Sequence, residues 1–488
     1  TKYRFRHILF QRYLYGRLAA ADRLLLHERT GRTLEALYRE SADPPVVDLA
    51  HHFDRAGLVE PAIAYALLAG QRAVRMAANE EAIQLLQRTV ELVETLPETP
   101  QRDERELEIR VSLAGPLMAV HGYAAPEALG NGSRLRELCD RLDPSLTVGL
   151  ALSNQNYNLS VRASYSEMGD VSRELVGVAD RLNDGALRVL GGFGVGYAET
   201  WAGRLTAGHE ELNRAYEIYD PDSHGWLRLV MGQAAGPEIL AWDAFNTFYR
   251  GYPDRAVLMA DEAIALARRL GPAWSLCHAL SVAGGLVRLA RGDYEAAGDF
   301  VDEFEAIAAT EHLPFFVLTA QVHRGVITGH VDDPNSGIRL IADGLEGWRQ
   351  MGTKSYLSYF VVDQAELERL AGRAEKGLEL LTAEQHEALK TDDRLSVVRL
   401  AVGRGALMRA VGDPAAEEVL LAAMGGSLAI GSPALELRAA TELARLLDNR
   451  GCSEQAGKVL EPVYGWFTEG FDTVTLVDAK RVLHRVGS

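Results

Sequence analysis

The chain has 488 residues, is 47% apolar and 24% charged, and carries a formal net charge of -17. That balance describes a folded protein rather than a disordered one, and it lacks the basic surface that neutralises phosphates, so nucleic acid is not an expected partner. Its three cysteines, Cys139, Cys277 and Cys452, lie far apart with no Cys-x-x-Cys, which excludes a ribbon-type zinc site and a disulfide scaffold and fits a reducing cytoplasm.

The N-terminus, Thr1 to Arg6, has no secretory pattern and no initiator Met, as expected of a chain cut from something longer. Residues 1–44 are basic and follow no repeat. Leu49-Ala50, Phe53, Gly57, Ala62, Tyr65 and Ala69 then match the tetratricopeptide pattern. A second helix follows over Asn79 to Leu96, with Ala82, Leu86 and Val90 in phase. Pro97 to Pro100 interrupts it, and a further helix covers Arg102 to Val120. Gly122 to Glu127 reads as a loop, with Pro126 placed to open the next helix. These breaks suggest three parts: 1–44, 45–125 and 126–488. No apolar run reaches the ~18–20 residues of a membrane span, so a membrane is not an expected partner.

The third part carries a ladder. Gly203, Gly251, Gly292, Gly372, Gly412 and Gly451 each separate two apolar helical segments, and Ala163 and Asp332 fill the gaps. The steps from 163 to 451 are 40, 48, 41, 40, 40, 40 and 39 residues. A small residue recurs five places on, at Gly208, Ala256, Ala297, Gly337, Gly377 and Ala456. Arg255 to Leu270 shows the helical period, with Ala256, Met259, Ala260, Ala263, Ile264 and Ala267 on one face, stopped by Gly271-Pro272. Sustained strand alternation is missing. The expected fold is all-α: a right-handed superhelical solenoid of tetratricopeptide-like helix hairpins repeating every ~40 residues. The ladder residue sits in the turn inside each pair. The small residue lies on the second helix, where it lets the first approach.

Three stretches resemble a bacterial family that joins a signal-transduction ATPase of the STAND class to a long tetratricopeptide array, often with an adenylate/guanylate cyclase domain. They are Tyr3 to Gln11, Leu117 to Glu127, and the C-terminal run Glu461 to Thr473. The first is similar to the end of the ATPase module and the second to the start of the array. The resemblance implies that His7 touches the β-phosphate of ADP in an off state. The chain has no Gly-x-x-x-x-Gly-Lys-Ser/Thr, since Gly457-Lys458 is followed by Val459. ATP or ADP and Mg are therefore expected only in an upstream module, as is the output, with no DNA-binding module expected after Ser488.

No residue pattern calls for catalysis or a metal. His51-His52 point about 100° apart on a helix. His209-Glu210-Glu211 and His386-Glu387 do not extend to a zinc motif. The calcium-like Asp220-Pro221-Asp222 has Met231 where a bidentate acid is needed. Gly191 to Gly196 follows no strand. The candidate ligand surface is instead the concave face of the coil. Phe193, Tyr197 and Trp201 recur along one helix, Trp242, Phe245 and Tyr249 along the next, and Asn154, Tyr157 and Asn158 precede them. Aromatic faces beside amides suit sugars, peptides or flat ligands, although such stripes also build cores.

The expected role is a regulatory sensor and scaffold that binds a protein or small-molecule inducer and holds the upstream module of the same chain inactive, with oligomerisation on activation. Two alternatives stand beside it: a helical-toroid ((α/α) barrel) enzyme, which would need paired carboxylates at one end, and an assembly scaffold without a small ligand.

Overall fold

The computed structural model describes residues 8–76, 78–122, 125–227, 234–271 and 273–487. His7, Tyr123, Ala124, Met231 and Pro272, all used in reading the sequence, lie outside them. The described residues form helices and connecting turns, with no strand among them.

The chain divides into two compact units, Thr1–Asn154 and Gln155–Ser488, with the division inside the helix Leu146–Val161. The first contains α1 (Ile8–Arg17), α2 (Ala20–Leu37), α3 (Val46–Arg55), α4 (Val59–Arg75), α5 (Asn79–Glu94), α6 (Pro100–His121) and α7 (Pro126–Arg141). Its core gathers Leu49, Phe53 and Ala62 of the tetratricopeptide pattern, Leu86 in phase on the next helix, and Val93 and Ile109. Across the expected 125/126 boundary, α7 is tied to α6. Buried Glu106 of α6 accepts from Arg110 at 2.6 Å and from Arg134 of α7 at 2.8 Å. Burial alone would raise its pKa, yet hydrogen bonds from Arg134 and Arg110 hold it down to about 2.

In the second unit, α8 (Leu146–Val161) leads into eight helix hairpins. They are completed by α9 (Tyr165–Leu182), α10 (Gly185–Trp201), α11 (Leu205–Ile218), α12 (Ala235–Tyr249), α13 (Pro253–Leu270), α14 (Ala273–Arg291), α15 (Tyr294–Thr310) and α16 (Pro314–Val331). There follow α17 (Pro334–Gln350), α18 (Leu357–Leu370), α19 (Ala374–Ala388), α20 (Arg394–Val411), α21 (Ala416–Ala429), α22 (Pro433–Asn449), α23 (Ser453–Gly465) and a closing helix, α24 (Val474–Val486). The solenoid fold is thus present, with the ladder in the turn inside each pair. All six ladder glycines have φ between 74° and 94°, and Ala163 follows them at 55°. Asp332 departs from the rule at φ -115°. The small residues do close the pairs: a Cβ on Gly337 would lie 2.5 Å from the Gly325 carbonyl oxygen.

One helix, Ala273–Arg291, is long and apolar enough to cross a membrane by length and composition, contrary to the expectation that none would be. It is two-thirds buried (67%), packed against α12, α13 and α15, as a core helix is. Its middle, Leu280–Leu286, is π-helical around Gly284-Gly285, whose backbone abuts Phe300 and His323.

The hairpins wind until successive turns of the coil touch. Val161, before the first ladder residue, accepts from the backbone N–H groups of Lys354 and Ser355 at 2.8 and 3.0 Å. Gly203 meets Arg394 and Ile430, Gly251 meets Pro433 and Trp466, and Gly292 meets Val474. The inner turns of the first three hairpins therefore rest on the chain leading into the hairpin five places later, and that of the fourth rests on the closing helix α24. This offset advances along the chain, as in a coil with a pitch; a toroid would bring its last hairpin back to its first. At the ladder glycines of the later hairpins, Gly372, Gly412 and Gly451, an added methyl would find nothing within 4 Å, since no further turn covers them.

Candidate functional site

The winding decides what the inner face can do. The aromatic rows are expected to line an open concave surface, but the structure fills the upper coil with them. Trp201, Trp242 and Phe245 are at most 1% exposed. Trp201 stacks on Tyr165 at 5.7 Å and on Phe245 at 5.5 Å, and Trp242 stacks on Tyr356 at 5.9 Å. The tyrosine hydroxyls close the set in pairs: Tyr197 with Tyr356 and Tyr249 with Tyr359, both at 2.8 Å. Tyr356 and Tyr359 come from a hairpin one turn of the coil away, which is why a stripe that looks exposed on its own helix becomes core.

The remaining candidates are less deeply placed. Phe193, Tyr157 and Asn158 are half-buried, and Tyr157 meets Trp274 edge-on at 6.1 Å. Trp274 in turn stacks on His278, whose Nε2 accepts from Trp242 at 3.2 Å. Asn154 is half-buried and donates to the Leu150 carbonyl one turn back, at 3.3 Å. Among the described residues no group of three His, Cys, Asp or Glu side chains is placed to hold a metal ion. His27 and His52 share an Nδ1···Nδ1 hydrogen bond at 2.9 Å, with Tyr15 on the Nε2 of His27 at 2.9 Å.

Where the aromatic fill ends, a cavity of about 660 Å³ opens, walled by the first helices of the later hairpins and by α24. Tyr249 and Tyr359 form its boundary with the fill. Apolar wall comes from Phe248, Leu286, Val326, Phe360 and Val402. The rest is charged: six arginines and four carboxylates line it. Arg399 is buried with its guanidinium 3.9 Å from the Tyr359 ring centroid, bonded to Asp363 at 2.7 Å and to the Tyr359 carbonyl. Arg369 pairs with Glu366 at 2.9 Å, Arg409 with Glu442 at 2.6 Å, and Arg445 with Glu442 and Asp478. His330 stacks on Tyr294 at 4.7 Å. Burial lowers its pKa, Asp363 and Glu366 oppose this, and Arg438 adds to it.

The C-terminal run Glu461 to Thr473 acts as a clasp beside this cavity. Glu469 accepts from the backbone N–H groups of Asp254 and Arg255, both at 3.0 Å, and so caps α13. Gly470 N–H donates to Asp254 at 2.9 Å, and Arg291 holds Asp472 at 2.7 Å.

The charged wall was not singled out from the sequence, although a signal exists. Glu238, Tyr359, Arg399 and Arg438 all stand 13 residues before their ladder glycines. The register that carries Trp242 and Phe245 in one hairpin carries Asp363 and Glu366, then Glu442 and Arg445, in later ones. The inner face thus changes from aromatic to charged along the coil.

No known protein-family profile matches the chain. A curated relative, an uncharacterised protein of Rhizobium meliloti (strain 1021), is 23% identical over 400 residues, covering 78% of this chain and 37% of that protein. The chain thus spans little more than a third of the relative's length. Among solved structures it is similar to a Rap protein complexed with competence and sporulation factor, at TM-score 0.44 and 14% identity, covering 87% of this chain and 97% of that one. It is also similar to the apo quorum sensor NprR of B. thuringiensis, at TM-score 0.45 and 12% identity, covering 75% and 99%. Scores and identities this low transfer no ligand or partner.

Proposed function

We propose that this chain is the regulatory array of a larger bacterial signalling protein, a sensor and scaffold that acts by binding rather than by catalysis. The observation that carries this reading is the mixed-charge cavity enclosed by a coil whose own turns touch. A ligand in the cavity contacts the later hairpins, the aromatic fill and the clasp together, so it favours one pitch of the coil over another. Its differential affinity then sets the balance between holding and releasing an attached module. A shift from 1:99 to 99:1 takes about 5.5 kcal/mol of such preference.

The attached module, on this reading, is an upstream STAND-class ATPase of the same protein, with ATP or ADP and Mg bound there, an adenylate/guanylate cyclase as a further output, and oligomerisation on activation in the cytoplasm. The resemblance of the chain's two ends supports this, as does a curated relative much longer than the chain. The advancing contact between turns weighs against a toroid enzyme, which needs a closed ring.

The test uses the longer protein. Deleting the array is expected to raise basal ATP turnover several-fold. A longer protein without a nucleotide-binding module, or one whose turnover is indifferent to the deletion, would overturn the reading.

A further inference from the structure

We infer that the cavity is an anion site: it takes a small organic acid, a carboxylate or phosphate ester with an apolar body, anchored by Arg438. The inference rests on reading the cavity as a ligand site. Three observations converge on it.

The first is a mismatch of charge. The whole chain has 51 Lys and Arg against 68 Asp and Glu. The cavity reverses that order, with six arginines facing four carboxylates. A surface made acidic for solubility has no reason to concentrate arginine in a partly enclosed space, where like charges are screened less than on an open surface.

The second is the pairing. The four carboxylates are engaged by Arg369, Arg399, Arg409 and Arg445. Arg438, half-buried on the cavity wall, has neither a carboxylate nor a carbonyl in hydrogen-bond contact among the described residues. An arginine held in a partly dry space without an acceptor is costly unless something else supplies one. A planar fork with free N–H groups fits a carboxylate or phosphate in bidentate fashion.

The third observation lies in the equivalent place of the preceding hairpin. Arg399, only 4% exposed, uses both terminal nitrogens on Tyr359 and Asp363, yet its Nε–H has no partner. Two guanidiniums in the same repeat register thus flank one cavity, and with the Arg399 fork already committed to Tyr359 and Asp363, the Arg438 fork is the one left for a ligand. Phe248, Leu286, Phe360 and Val402 give the body of the ligand its apolar contact. A volume of about 660 Å³ lies within the range of small-molecule sites.

The experiment titrates the full chain with phenyl phosphate, with 3-phenylpropionate and with the neutral 3-phenylpropanol, read by calorimetry. At least one anion is expected to bind with a Kd below about 10 mM, and the alcohol is not. Binding of the phosphate alone, or of the carboxylate alone, supports the site and names its chemistry. Arg438→Gln is expected to weaken binding at least tenfold without lowering the unliganded Tm, since Arg438 has no hydrogen-bond partner among the described residues and its unpaired charge is a cost to the fold. Arg438→Lys keeps the charge and is expected to retain part of the affinity. Failure of both anions, equal binding of the alcohol, or unchanged affinity in Arg438→Gln would each overturn the inference. Anion binding that vanishes in Arg438→Gln without any effect of the anion on ATP turnover by the longer protein leaves the site standing and removes the sensor reading. Deregulation by deleting the array, with no anion bound, does the reverse.

Discussion

Tyr197 and Tyr356 share a hydrogen bond of 2.8 Å across 159 residues of chain. Tyr197 belongs to a hairpin near the start of the second unit, and Tyr356 leads into α18, one turn of the coil later. This bond and its neighbour, Tyr249 to Tyr359, hold one turn of the solenoid to the next at its axis.

Removing one of these hydroxyls is expected to cost about 1 kcal/mol, because Tyr197→Phe loses a hydroxyl–hydroxyl hydrogen bond made away from water. Trp201→Ala is expected to cost about 3–5 kcal/mol, since it empties the centre of six ring contacts. Urea unfolding followed by tryptophan fluorescence checks both. Similar losses would contradict the packing, for a hydroxyl and a whole indole would then count alike.

The ladder glycines provide a matched pair. Gly251 and Gly412 occupy the same place in their hairpins, at φ 89° and 74°. A methyl on Gly412 meets nothing, whereas one on Gly251 meets the Trp466 ring and Pro433 from the next turn. Gly412→Ala is expected to cost only the conformational strain, about 1 kcal/mol. Gly251→Ala is expected to cost at least about 2 kcal/mol more, because a rigid indole and a proline ring must move. Equal destabilisation, measured by thermal melts, would mean that the turns do not touch.

Acid sensitivity follows from two buried imidazoles. Burial lowers both His278 and His323 to about 3. In the unfolded chain each protonates near 6.5. The folded state holds the neutral rings, so their contribution is complete above pH ~6.5 and is lost as pH falls from there toward ~3. Each histidine is expected to remove up to about 1.4 kcal/mol per pH unit in that window. Urea midpoints at successive pH values report the slope, and His278→Phe is expected to reduce it. An unchanged slope in that variant would show that the ring is not shielded.

Asp393 behaves in the opposite sense. Burial pushes its carboxyl up to about 7, against the pull of the Ser396 hydrogen bonds. Its side chain caps α20 by accepting from the Ser396 N–H at 2.9 Å. The folded chain keeps a proton that the unfolded chain releases near pH 4. Stability from this group is therefore present below ~4 and lost as pH rises through ~7. Asp393→Asn keeps a cap acceptor and carries no charge. It is expected to be more stable than the unsubstituted protein at pH 8, by a few kcal/mol at most, with the difference shrinking toward pH 4. A difference independent of pH would mean that the carboxylate is solvated.

Each hairpin was legible in the sequence because its determinants are local. Gly203 or Gly412 needs positive φ wherever the rest of the chain goes, and Gly337 needs to lie against Gly325 whatever packs outside the pair. The ends of α4 and α13, and the apolar phase of Leu49 and Phe53, follow from neighbours within a turn or two. The aromatic rows were legible as rows but not as an interior. Trp242 meets Tyr356 only because several small rotations between hairpins add up to a full turn, and no single hairpin contains that sum.

The same reason separates the two kinds of knowledge about the site. Composition and period alone determined that this protein is an all-α array of tandem hairpins, since each unit's backbone preferences and apolar stripe are written within about 40 residues. Only the winding of the array decided that Trp201 and Trp242 are filling, that Glu469 caps a helix more than 200 residues upstream, and that Arg399 and Arg438 face a shared cavity. Those relationships depend on the pitch of the coil, which arises from contacts between distant turns rather than from any stretch of chain.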